Sequence, residues 1–138
     1  MFQRIDHLGI ATRNLEESLK LYVGIFGLKL QEIELIESQG VRVAIIPVGE
    51  SRIELLEPTG PDSPLARSIE ARGEGLHHVA YAVEDVAACL EQARRGGLKL
   101  IDEQPRPGAG GSLIAFIHPR STGDVLTELC QHRGPVHG

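Results

Sequence analysis

The chain has 138 residues, 41% apolar and 24% charged, and a formal net charge of −5. This length suits one compact unit with a buried core. The acidic balance, without any block of Lys or Arg, argues against nucleic acid as the main partner, and no apolar run is long enough to span a membrane.

The N-terminus, Met1-Phe2-Gln3-Arg4, leads straight into a strand pattern, so we expect no signal or transit peptide and a cytoplasmic protein. Residues 4–12 alternate as a strand does. Asn14 is placed to cap a helix whose Leu15, Ser18, Leu19, Tyr22 and Phe26 recur at helical spacing, and Gly27 ends it. Strand-like runs follow at 28–36, 41–48 and 52–57. Pro58-Thr59-Gly60-Pro61-Asp62-Ser63-Pro64 is rich in turn formers and reads as a connector. Leu65, Ser68, Ile69 and Arg72 then suggest a short helix. Beyond it we expect a strand at 76–83, a helix at 85–96, a strand at 98–102, a glycine-rich loop, and strands at 112–118 and 124–131. Cys89 and Cys130 lie in apolar surroundings without CxxC spacing, so we expect buried, reduced thiols rather than nucleophiles.

The chain nearly repeats itself. Ile5-Asp6-His7-Leu8-Gly9-Ile10-Ala11 returns as Leu76-His77-His78-Val79-Ala80-Tyr81-Ala82. Gly27-Leu28-Lys29-Leu30 returns unchanged as Gly97-Leu98-Lys99-Leu100, and Ile53-Glu54-Leu55-Leu56 is echoed by Thr127-Glu128-Leu129-Cys130. Each half is therefore a β-α-β-β-β module, with module one at 4–58, a connector at 59–74 and module two at 75–132. A single module leaves one sheet face uncovered, so two must pair to bury a core.

Strand alternation decides what shares a face. Ile5, His7, Gly9 and Ala11 lie on one face of the first strand, as do Leu76, His78, Ala80 and Ala82 of its counterpart. Apart from each histidine these faces carry mostly small side chains, as a cavity wall requires. The opposite faces carry Leu8 and Ile10, and Val79, Tyr81 and Val83, and suit covering helices. Glu54 and Glu128 each sit between apolar neighbours, and a carboxylate buried there must be paired, protonated or metal-bound. Taken singly, a histidine or glutamate in a strand is commonly structural. Four at matching places in two copies form a divalent-metal ligand set: His7, Glu54, His78 and Glu128. His77, on the other face, and His118, at a strand end, read as structural. His132 and His137 fall in a tail that carries little information.

These stretches resemble the vicinal oxygen chelate superfamily and, within it, the methylmalonyl-CoA epimerase family. The likeness spans most of the chain and rests on the repeated strands above, on Glu54-Leu55-Leu56-Glu57-Pro58, on Gly73-Glu74-Gly75-Leu76-His77-His78, on Gly108-Ala109-Gly110-Gly111 and on Phe116-Ile117-His118-Pro119. It implies an α+β, glyoxalase-like fold in which the modules pair into a curved, partly closed mixed sheet around a metal. It also implies that His7, Glu54, His78 and Glu128 hold a divalent ion, Co²⁺ or Mn²⁺ by preference, with Ni²⁺, Zn²⁺ or Fe²⁺ compatible. The implied partner is an acyl-CoA, and the implied assembly a homodimer. The implied reaction removes and returns the proton at C2 of methylmalonyl-CoA. Some family members carry a glutamate base where this chain has Val43, so we expect Glu54 and Glu128 to be the catalytic pair, one from each module. Arg106, Gly110, Gly111 and Arg120 are candidates for contacts to the CoA portion, although a Pro/Gly loop joining two strands reads equally as a plain turn. Rival functions within the superfamily are a glyoxalase I acting on a glutathione adduct, a ring-cleaving dioxygenase, and a binding protein without chemistry. The dioxygenase fits less well because its iron site uses two histidines and one carboxylate.

Overall fold

The alternating run at the N-terminus becomes a ten-residue strand, β1 (Phe2–Ala11). The structure, a computed structural model, describes residues 1–132. The chain divides into two compact units, residues 7–77 and residues 1–6 with 78 onward, and β1 contributes one half of its length to each.

In the unit of residues 7–77 the sheet order is β2 (Glu32–Ile36), β3 (Val41–Val48), β4 (Ser51–Pro58), β1. β3 runs antiparallel to both neighbours, whereas His7–Ala11 of β1 pairs in parallel with Arg52–Leu56 of β4. Helix α1 (Leu15–Leu19) begins at Asn14, whose side chain accepts the Glu17 N–H. It continues into a wider turn over Lys20–Ile25, closed by the Phe26 N–H on the Leu21 carbonyl five residues back. The expected helix is thus one segment in two windings. Leu15 packs with Ala44, Ile46 and Leu55, and Ile10, Leu19, Tyr22, Leu28 and Ile53 surround them. Ile10 is covered as expected, but Leu8 on the same face is 36% exposed. The strand expected from residue 28 starts only at Glu32. Leu28 instead donates its N–H back to Tyr22 and joins the core beneath the helix, and Gln31 opens the ladder to Ile45. Helix α2 (Pro64–Arg72) starts where Ser63 Oγ accepts the Ala66 N–H, with Pro64 in its first turn.

The other unit orders its strands β1, β5 (Gly75–Val83), β8 (Thr127–Gln131), β7 (Leu113–Ile117), β6 (Arg106–Pro107). β5 and β8 are parallel, and β7 is antiparallel to β8 and β6. Helix α3 (Val86–Arg95) starts at Asp85, which accepts the Ala88 N–H. Its Val86, Cys89 and Leu90 pack on Val83, Ala115, Ile117 and Leu129. Tyr81 is covered by Phe2, stacked at 4.4 Å, rather than by a helix. The strand expected at 98–102 does not form. Only Leu100 bridges to Ile117, and the Asp102 side chain takes the Phe116 N–H at 2.8 Å, which removes that donor from any backbone ladder. The short strand comes later, at Arg106–Pro107. The last strand begins at Thr127 rather than 124, because Gly123 and Asp124 turn through left-handed backbone at φ 66° and 67°.

One charged cluster ties strand to helix in the first unit. Glu57 on β4 accepts the Leu15 N–H at 2.8 Å and the Arg42 Nε–H at 3.0 Å, and Arg42 also reaches Glu16 at 2.9 Å. The two carboxylates, Glu57 foremost, hold the Arg42 guanidinium above its ordinary value. Glu57→Ala should therefore cost about 1–3 kcal/mol by orphaning the helix's first donor. The urea midpoint measures it, and an unchanged midpoint contradicts this role.

Candidate metal centre

Both modules place a histidine and a glutamate by the same strand register. Glu54 on β4 lies opposite Gly9 of β1, two residues past His7. Glu128 on β8 lies opposite Ala80 of β5, two residues past His78. Directly opposed residues share a face, as do residues two apart, so each glutamate stands on the face of its histidine. Gly9 and Ala80 leave room over the sheet for the glutamate side chain. His7 Nε2 comes to 3.4 Å from Glu54 Oε1, and His78 Nε2 to 2.8 Å from Glu128 Oε1. All four residues are at most 5% exposed. Carboxylates this deep require a positive partner, and each has an imidazole aimed at it.

The surroundings of the two pairs differ. Arg52 places Nη2 3.3 Å from Glu54 Oε2 and stands opposite His7 in the ladder. Module two has Leu126 at that place, two residues before Glu128. Phe116 lies opposite Glu128, and its ring meets the His78 ring edge-on at 5.4 Å. The Arg106 guanidinium lies 5.5 Å from the Phe116 ring centre and donates to Asp102 at 2.9 Å. Neither Arg52 nor Phe116 was expected at the site. Alternation alone flags Arg52, two residues from Glu54. Phe116 emerges only from the β7–β8 register. Val43, on the face of Glu54 and opposite Leu56, is 1% exposed and brings no carboxylate.

Among the loop candidates, only Arg106 is drawn toward a site histidine, through Phe116. Gly110 and Gly111 adopt φ of 66° and 75° in the tight turn before β7. Gly108, at the start of that turn, is held by packing: a Cβ there would meet Ile114 Cγ2 at 2.6 Å. Arg120 is exposed in the turn after His118, and its N–H donates to His118 Nδ1. His118 is thus a turn cap, as expected. His137 lies outside the described residues. Both cysteines are buried, and burial pushes the Cys89 thiol up, which suits an inert group. His132, expected to carry little information, instead meets Asp6 at 2.7 Å.

Two imidazoles and two carboxylates form a donor set suited to a divalent cation. The burial of all four, each imidazole nitrogen aimed at a carboxylate, fits such an ion.

Residues 6–116 match the model of the Glyoxalase/Bleomycin resistance protein/Dioxygenase superfamily. The chain is 40% identical to the protein YqjC of Bacillus subtilis, over 97% of its own length and 96% of that protein. It is 32% identical to the ethylmalonyl-CoA/methylmalonyl-CoA epimerase of Cereibacter sphaeroides, over 95% of its length and 99% of that enzyme. The chain belongs to the methylmalonyl-CoA epimerase family. A structure of methylmalonyl-CoA epimerase in complex with methylmalonyl-CoA and NH₄⁺ is 36% identical, covers 97% of both chains and superposes with a TM-score of 0.93. The architecture is the family's α+β, glyoxalase-like fold, built on mixed sheet with few helices.

His78 Nε2 lies 2.8 Å from Glu128 Oε1 deep in their unit, so removing the imidazole takes this partner from a buried carboxyl group. His78→Ala should destabilise the metal-free protein by about 3–5 kcal/mol. Thermal or urea unfolding reads this directly, and a loss below about 1 kcal/mol contradicts the pairing.

Proposed function

We propose that this protein epimerises 2-methylmalonyl-CoA, removing the C2 proton from one face and returning a proton to the other. The carrying observation is the matched register: Glu54 opposite Gly9 beside His7, and Glu128 opposite Ala80 beside His78. In this reading the chain is a single vicinal oxygen chelate domain, and His7, Glu54, His78 and Glu128 hold one divalent ion. Co²⁺ or Mn²⁺ is favoured, and Ni²⁺, Zn²⁺ or Fe²⁺ is compatible with the same donors. When bound, the ion supplies Lewis-acid stabilisation of the negative charge that develops on the thioester oxygen.

The residues of the chain do the rest. The proton between thioester and carboxylate is weakly acidic, so its removal needs a positioned base, and inversion is simplest with one base per face. A carboxylate oxygen of Glu128 takes the C2 proton on one side. A carboxyl oxygen of Glu54 delivers a proton from the other, and the roles exchange for the opposite epimer. The two are not equivalent. Arg52 answers the charge of Glu54, whereas module two offers Leu126 in its place. The two carboxylates therefore work in different electrostatic surroundings. Arg106, stacked against Phe116 beside His78, is placed to meet an anionic group of the substrate. Gly110 and Gly111, in the turn before β7, and Arg120, in the turn after it, contact the CoA portion in this reading. A homodimer in the cytoplasm completes the reading, supported by apolar side chains left exposed at Ile25, Phe26, Ile33 and Leu35. Among the described residues no helix is long and apolar enough to cross a membrane.

The test is proton NMR in heavy water, following exchange at C2 and inversion separately. Glu128→Gln and Glu54→Gln should each slow inversion by about 10²–10⁴-fold. Each should retain exchange from the face served by the remaining carboxylate. Inversion at the normal rate in Glu54→Gln contradicts the pairing.

A further inference from the structure

One residue before His7 and two after Glu128, a second set of metal-binding side chains comes together in the unit of residues 1–6 and 78 onward. Asp6, Cys130 and His132 each present one donor atom, and the three atoms lie within 4.8 Å of one another. His132 Nε2 stands 2.7 Å from Asp6 Oδ1 and 3.9 Å from Cys130 Sγ. Asp6 is 2% exposed and Cys130 1%, whereas the His132 side chain is 31% exposed. Arg4 Nη2 approaches the same Asp6 oxygen at 3.4 Å, so this carboxylate already draws cationic groups.

We propose that Asp6, Cys130 and His132 form a second metal site, selective for a thiophilic divalent ion such as Zn²⁺. The geometry carries this. A single imidazole nitrogen faces both a buried carboxylate oxygen and a buried sulfur. An N–H points along one line and serves one acceptor well, whereas a cation seated among the three atoms serves all of them. Tetrahedral zinc, with bonds of about 2.0–2.3 Å, sets its ligand atoms about 3.3–3.7 Å apart. From 2.7 Å the nitrogen–oxygen distance must open by about 0.6–0.7 Å, and from 3.9 Å the nitrogen–sulfur distance must close by about 0.3–0.4 Å. Rotation of the partly exposed His132 ring achieves both. The fourth position faces the exposed side of His132 and takes water. Binding forms a metal–sulfur bond and releases the thiol proton to solvent.

The donor chemistry separates this site from the one proposed for catalysis. Thiolate and imidazole select zinc-like ions, whereas an imidazole–carboxylate set accepts harder ones. The site also has a structural use. Asp6 lies midway along β1, Cys130 near the end of β8, and His132 just beyond it, so a bound ion ties the middle of one strand to the end of another that is not its neighbour in the sheet order.

The competing reading is a hydrogen-bonded lock, Asp6 to His132, with Cys130 as filler. Cobalt(II) added to the metal-free full-length protein distinguishes them, because a cobalt–thiolate bond gives a charge-transfer absorption that imidazole and carboxylate ligands do not. The expected result is this band, saturating at one thiolate-bound cobalt per chain, displaced by Zn²⁺, lost in Cys130→Ser and lost or at least tenfold weaker in binding in His132→Gln. The His132 change sits at a partly exposed position and keeps the fold testable should the buried serine disturb it. A full complement of cobalt without the band overturns the proposal, as does a band that survives Cys130→Ser. These outcomes do not depend on whether His7, Glu54, His78 and Glu128 bind an ion.

Discussion

Everything at the candidate centre depends on keeping a buried carboxylate beside a buried imidazole, once in each module. A glutamate 4% exposed cannot remain charged without a positive partner a few ångströms away. The parallel pairing of a module's first and last strands sets an imidazole at that place. Parallel strands need a long crossover, and here the helix and the intervening strands supply it. The ladder then sets Glu54 against Gly9 and Glu128 against Ala80. A slip of one residue would turn each glutamate to the helix-covered face, among Ile10, Leu15 and Leu55 or among Val83, Leu90 and Leu129.

The repeated register gives two similar half-sites whose surroundings differ. Module one carries Arg52 against its glutamate and the aliphatic Ile45 opposite it. Module two carries Phe116 opposite its glutamate, with Arg106 over the ring and the ring edge on His78. An enzyme that removes a proton from one face and returns it to the other benefits from such inequality, because the two proton-transfer groups work at different moments. The absence of a carboxylate at Val43 fits this division. Under the proposed function it leaves the work on module one's side to Glu54, beside which Arg52 stands at 3.3 Å.

Much of this was legible before any coordinates. The repeat exposed the architecture, and the shared face of each histidine and its glutamate followed from alternation, because a two-residue period in a strand converts directly into a face. What escaped was set by contacts that no local pattern encodes. Asp102 takes the Phe116 N–H and prevents the strand expected at 98–102. Leu28 bonds back to Tyr22 and delays β2. Phe116 reaches the site only through a register between distant strands. His132 looked like frayed tail, yet it is drawn to Asp6 from the far end of the chain. Pattern reading finds what lies within one element. Partners joined across more than a hundred residues appear only when the sheet is assembled.

In the proposed function both modules contribute ligands to one ion. Anomalous diffraction from crystals grown with cobalt tests it most directly. The expected result is a peak bonded by His7, Glu54, His78 and Glu128 together. A peak held by one histidine–glutamate pair alone, or none bonded to any of the four, would contradict it.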